Sequence, residues 1–130
     1  MIIEGELGRL YEDSEAIMHQ GEAGDCMYVV QRGKVEITVR GSDEDIVMSV
    51  LEAGDVFGEM SLFTKRERSA TVRSVGQARV MTIDKRGFMK RVHQDPSLAF
   101  RILRKMSERI QSLNDEVCRL RSQLSRSAAG

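Results

Sequence analysis

The sequence predicts a mainly β fold with flanking helices, a double-stranded β-helix (jelly roll) followed by a long C-terminal α-helix. Three observations carry this expectation. Up to Ile83 the chain is a series of short runs rich in β-branched residues. Glycine- and aspartate-containing turns separate those runs, with no helical pattern between them. After Ile83 the apolar period lengthens from two to that of a helix.

The elements follow in order. Met27–Val30 is the first clear apolar run, and Lys34–Arg40 alternates polar and apolar so that Val35, Ile37 and Val39 share one face. Ile46–Leu51, Ala70–Ser74 and Ala78–Ile83 complete the strand set. The predicted turns lie at Gly21, Gly24-Asp25, Arg32-Gly33, Gly41–Asp45, Ala53-Gly54-Asp55 and Gly76. Asp84 is a good N-cap for a short helix through His93, and Asp95-Pro96-Ser97 opens a longer one, since proline at a first helical position gives up no intrahelical bond. That helix is expected to run to about Ser125, with 125–130 as a frayed tail.

The long helix carries a heptad. Leu103, Ile110, Val117 and Leu124 fall at a, and Ala99, Met106, Leu113 and Leu120 at d, a choice that favours a parallel two-stranded coiled coil. The expectation is a homodimer through this helix, with Leu98, Phe100 and Ile102 packing on the roll. Met48, Met60, Met81 and Met106 read as core filler.

Composition narrows the function. A chain of 130 residues, 41% apolar and 31% charged, suits one globular domain. Twenty basic residues balance twenty acidic ones, which argues against nucleic acid as the main partner. No apolar run approaches the ~20 residues of a membrane span, and no signal-peptide pattern opens the chain. With two cysteines, Cys26 and Cys118, and two histidines, His19 and His93, neither a disulfide nor a metal site is expected, and a cytoplasmic setting follows. No catalytic constellation is present, so an enzyme is not expected.

The stretch Phe57–Thr71, FGEMSLFTKRERSAT, places Glu59 after a glycine and Arg68 nine residues later in an otherwise apolar segment that includes Met60, Leu62 and Phe63. If Gly58–Leu62 forms a helical turn, its first amides are free for an anion. Arg68 would supply a planar fork for two phosphate oxygens, Ser69 a hydroxyl, and Glu59 an acceptor for a sugar hydroxyl. Together they describe a ribose phosphate. A buried Glu59–Arg68 ion pair that merely fixes the loop stands beside it.

Phe57–Leu62 followed by Arg68–Val72 resembles the phosphate-binding cassette of the cyclic-nucleotide-binding domain family, found in catabolite-activator-type regulators, kinase regulatory subunits and gated channels. His19–Asp25, Met27–Val30, Gly33–Val35, Leu51 and Gly54-Asp55 extend the similarity over about Gly8 to Leu120. The resemblance implies that Glu59 binds the ribose 2′-hydroxyl and Arg68 the cyclic phosphate, with backbone groups of Gly58, Met60 and Ser61 and with Ser69 completing the cradle. Glu67 stands where many eukaryotic members have proline. Leu113 and Asn114 stand where catabolite activators offer a Thr-Ser pair to the base, leaving Asn114 as the candidate base contact.

The chain is therefore expected to comprise a cyclic-nucleotide-binding roll with a short helix at 1–95, a dimerisation helix of the same domain at 96–124 and the tail. The ligand would be cAMP, with cGMP as the second candidate, without metal or other cofactor and with no membrane partner. An effector domain or protein is not identified by the sequence. A ligand-free dimerisation scaffold of the same fold is the alternative, and a metal-dependent cupin-like enzyme is a remoter one.

Overall fold

Two long strands form the spine of the roll. In the computed structural model, which describes residues 8–64 and 66–129, β3 (Cys26–Arg40) runs antiparallel to β6 (Thr71–Asp84) from Cys26↔Asp84 to Thr38↔Thr71. Residues 1–7, Lys65 and Gly130, together with the side chains of residues 128 and 129, lie outside the described residues. β1 (Arg9–Tyr11) and β2 (Ala16–Met18) pair with β6, while β4 (Asp45–Glu52) and β5 (Val56–Phe57) pair with β3, all antiparallel. β4 is an edge of the sheet path β1-β6-β3-β4.

The turns expected at Gly33 and Gly76 are bulges instead. Each of the two strands continues through its glycine, and between Arg32↔Arg79 and Lys34↔Val75 one residue of β3 faces three of β6. Both glycines have positive φ, 83° and 70°, so they absorb the irregularity that a residue with a Cβ would resist. A second slip, between Ile37↔Ser49 and Thr38↔Val47, leaves Met48 without a partner on β3. Met48 is exposed, as are all residues of β4 except Leu51, and is not core filler.

Pleating divides the interior into two clusters. Val30 and Val35 of β3 join Tyr11, Met18, Leu51, Phe57, Val72, Ala78 and Val80 inside the roll. Met27 and Val29 point the other way, to Val56, Met81 and Ile83, and this second cluster is where the helices dock. α1 (Glu59–Thr64) contributes Leu62, α2 (Lys85–Gln94) Phe88, and α3 (Pro96–Ala129) Leu98 and Ile102, with Met106 half-buried beside them.

The helix boundaries show why these segments are helical. The Asp84 carboxylate accepts from the Gly87 amide at 2.6 Å, the expected N-cap. The Asp95 carboxylate accepts from the Ser97 amide at 3.2 Å, and Pro96 starts α3. At its other end α3 passes the expected stop at Ser125 and continues to Ala129, because Ser-Arg-Ser-Ala-Ala contains no helix breaker. Leu98 and Ile102 meet the roll as expected, but Phe100 is 67% exposed: it lies half a turn away from them. The heptad residues Leu103, Ile110, Leu113, Val117, Leu120 and Leu124 are all exposed, while Ala99 and Met106 are half-buried. Among the described residues no helix is long and apolar enough to cross a membrane.

Candidate functional site

The short step from β5 into α1 brings the backbone to the site. Gly58 makes the turn at φ 75°, a conformation that favours glycine, and α1 then buries Glu59, Ser61 and Leu62. The six-residue helix has one inward face only. Met60 and Phe63, which the apolar pattern suggested were buried, therefore lie exposed, Phe63 meeting Phe88 edge-on at 5.7 Å. The Ser61 hydroxyl donates to the Arg66 carbonyl at 3.1 Å, closing the loop that returns the chain to Arg68.

Arg68 is a buried cation, 6% exposed, without a carboxylate partner among the described residues. Its Nη1 donates to the Gly58 carbonyl at 2.9 Å and its Nη2 to the Cys26 carbonyl at 2.9 Å, with the Cys26 Sγ at 3.5 Å. The guanidinium carbon lies 5.4 Å from the centre of the Tyr28 ring. The backbone is held as firmly: the Arg68 amide donates to the Glu22 carbonyl and its carbonyl accepts from the Gly21 amide, both at 2.8 Å. The β2–β3 loop, some forty-odd residues earlier in the chain, thus grips the arginine at both ends.

Glu59 and Arg68 do not neutralise one another. The Glu59 carboxylate, 7% exposed, accepts from Arg109 Nη1 of α3 at 2.9 Å, and Arg109 Nη2 donates to the Val56 carbonyl at 2.8 Å. Lys105, one turn earlier, reaches Asp55 at 3.3 Å. The carboxylate of the cassette is therefore tied to the long helix.

Of the residues expected at a site, Gly58, Glu59, Ser61 and Arg68 converge on this segment. Ser69 beside them is exposed, as is the side chain of Met60. Asn114 is exposed on α3, five residues beyond Arg109. A cavity of about 160 Å³ borders Arg68 and is walled by the β2–β3 loop, including His19, Glu22 and Gly24, and by the start of β3, including Cys26 and Tyr28. Glu59, Ser61 and Ser69 are not among its walls. Burial, then the contact with Cys26, pushes the Tyr28 phenol up to about 12, against the opposing charge of Arg68. No group of three His, Cys, Asp or Glu side chains among the described residues could hold a metal ion.

Sequence reasoning missed Arg109, Gly24 and Tyr28 as contributors. For Arg109 the signal existed: Leu98, Ile102 and Met106 mark one face of α3, and Arg109 is the next residue on it.

The sequence profile described as the cyclic nucleotide-binding domain matches residues 9–95, two thirds of the chain and both halves of this site. The chain belongs to the cyclic nucleotide-binding domain family. Among curated members, the cAMP-activated global transcriptional regulator CRP of Salmonella typhimurium is 29% identical over 109 residues, covering 82% of this chain and 52% of that protein. The cAMP-dependent protein kinase regulatory subunit of Yarrowia lipolytica is 38% identical over 82 residues, covering 63% of this chain and 21% of that one. The crystal structure of the Thermus thermophilus catabolite activator protein superposes with a TM-score of 0.76 at 26% identity, covering 86% of this chain and 53% of that one. The chain thus spans about half the length of the bacterial regulators it matches. The matched relatives are regulators by name, and this cyclic nucleotide-binding domain has the regulatory type of fold, a mostly antiparallel roll with a long C-terminal helix.

Proposed function

We propose that this domain is a cyclic-nucleotide sensor whose ligand is cAMP and which reports occupancy through α3. One observation carries the reading: Arg68 is buried beside the Gly58–Ser61 segment and, among the described residues, has only carbonyls, a thiol and a ring as partners. A buried cation without a counter-ion is costly, and an anion at its open edge would relieve that cost. Arg68 takes the cyclic phosphate, helped by backbone groups of Gly58, Met60 and Ser61 and by Ser69. Glu59 accepts from the ribose 2′-hydroxyl, and Asn114 meets the base. The names of the matched relatives support cAMP as the nucleotide.

Glu59 is the point of coupling. Its present partner is Arg109 of α3, so a ribose hydroxyl arriving at the same carboxylate changes what the helix is tied to. Such a ligand shifts the helix to the extent that it prefers one arrangement of roll and helix over another. The exposed heptad supports a homodimer through α3, since a row of Leu, Ile and Val of that length seldom faces water in a lone domain. A cytoplasmic setting is part of the same proposal.

The test is calorimetric titration with cAMP and with cGMP, repeated on Arg68→Ala. Binding of cAMP that is weakened about a hundredfold in a folded Arg68→Ala protein supports the sensor. A dimerisation scaffold of the same fold is the second reading, favoured by the cavity of about 160 Å³, which is below the ~300 Å³ typical of small-molecule sites. Failure of the parent protein to bind either nucleotide would select it.

A further inference from the structure

The outward-facing surfaces of Arg68 explain what it could bind, but its inward-facing ones raise a separate question: what keeps a long, flexible side chain in one place. Among the described residues, the side-chain contacts come from two short segments. The Gly58 and Cys26 carbonyls take one hydrogen bond from each terminal nitrogen. Tyr28 lies under the guanidinium, and its ring is stacked on Phe57 at 4.9 Å and 16°, which fixes it against the interior of the roll.

Gly24 supplies the room. A Cβ built there would lie 2.1 Å from Arg68 Nε and 2.3 Å from its guanidinium carbon, and no real side chain fits at that distance. The backbone of Gly24 is not left-handed, so its conformation does not call for glycine; the nearness of the guanidinium does. Gly58 has both reasons, a positive φ and Arg68 Nη1 2.8 Å from a would-be Cβ.

We propose that Gly24 and Tyr28 are positioning residues for the bound anion: with the Cys26 and Gly58 carbonyls they form a slot that holds the Arg68 guanidinium. This rests on the reading of Arg68 as the phosphate contact. Both residues also wall the cavity beside Arg68, and their effect on the phosphate runs through the guanidinium they hold. Gly24 lets the head group enter the slot, and the face of Tyr28 supports a cation that has no carboxylate. A guanidinium fixed before the ligand arrives loses less freedom on binding than one that must first be ordered.

The experiment measures cAMP affinity by calorimetry for Gly24→Ala, Tyr28→Leu and Tyr28→Phe, alone and in an Arg68→Ala background. Side-chain NMR of the Arg68 Nε–H in the unliganded protein runs alongside. Gly24→Ala and Tyr28→Leu are expected to weaken binding about tenfold, and Tyr28→Phe, which keeps the ring, to restore it. In the Arg68→Ala background these differences vanish, because the residues act through Arg68. The Arg68 Nε–H resonance, displaced by the ring in the parent, moves toward an ordinary position in Gly24→Ala and Tyr28→Leu but not in Tyr28→Phe. Unchanged affinity in folded Gly24→Ala and Tyr28→Leu proteins, with binding still dependent on Arg68, overturns the slot alone. A parent protein that does not bind cAMP overturns the sensor reading and the slot together.

Discussion

Arg109 and Glu59, fifty residues apart in sequence, form a 2.9 Å ion pair that fastens the long helix to the cassette loop. The carboxylate is buried, while the guanidinium is half-open to solvent. The pair therefore matters mainly to the acid: without Arg109, the buried Glu59 carboxyl has no cationic partner among the described residues.

Replacing Arg109 with Ala should destabilise the domain by about 1–2 kcal/mol, the solvent access of the arginine holding the figure low. Thermal unfolding should show a fall in Tm of roughly 3–8 °C. In a Glu59→Gln background, where no buried charge is stranded, the same replacement should cost less. Equal losses in the two backgrounds would mean that the helix is not held through this carboxylate.

Arg68→Ala should leave the fold intact and lower cAMP affinity about a hundredfold, the scale of two lost charge-assisted hydrogen bonds. Calorimetry on a protein whose circular dichroism matches the parent is the measurement. A loss below threefold would remove Arg68 from the phosphate site.

If α3 pairs two copies as proposed, Leu113→Asp combined with Leu120→Asp should give a monomer in sedimentation, because both side chains are exposed on α3 and occupy d positions. Secondary structure outside α3 should be unchanged. A species of parental mass would show that this stripe is not the interface.

Tyr28 makes stability sensitive to alkali. Folding raises its phenol from the ordinary 10.0 to about 12, so the unfolded chain loses this proton before the folded one does. The contribution is fully present below pH 10.0 and is lost as pH rises toward about 12. In a Tyr11→Phe variant, tyrosinate absorbance should appear in the folded protein only near the upper value, and denaturation midpoints should fall across that window. A titration centred at the ordinary value would contradict the burial of Tyr28 beside Cys26.

The roll was legible where side chains alternate. Val35, Ile37 and Val39 announced β3, Asp84 and Asp95-Pro96 announced the two helix starts, and Gly58, Glu59 and Arg68 were legible as a cassette only through the family resemblance of the stretch they lie in. Gly33 and Gly76 misled, because a glycine needing positive φ signals a bulge as readily as a turn, and only pairing across strands decides between them. Phe100 and Met60 misled because an apolar residue is buried only on the inward face of its helix, and both lie on the outward faces of α3 and α1. The grip of Gly21–Cys26 on Arg68 was invisible for a different reason: it is a contact of high sequence separation made largely by backbone groups, which carry no residue-type signature.

The 34 residues of α3 make a rod of about 50 Å, and its last apolar anchors to the roll, Ile102 and Met106, lie within its first third. From Arg109 to Ala129 some 30 Å of helix projects past the last clasp. A pivot of about 10° at that clasp carries the far tip through about 5 Å by simple leverage. A rearrangement of one carboxylate, too small to alter the roll, would thus be magnified into a stroke comparable to a full helical pitch.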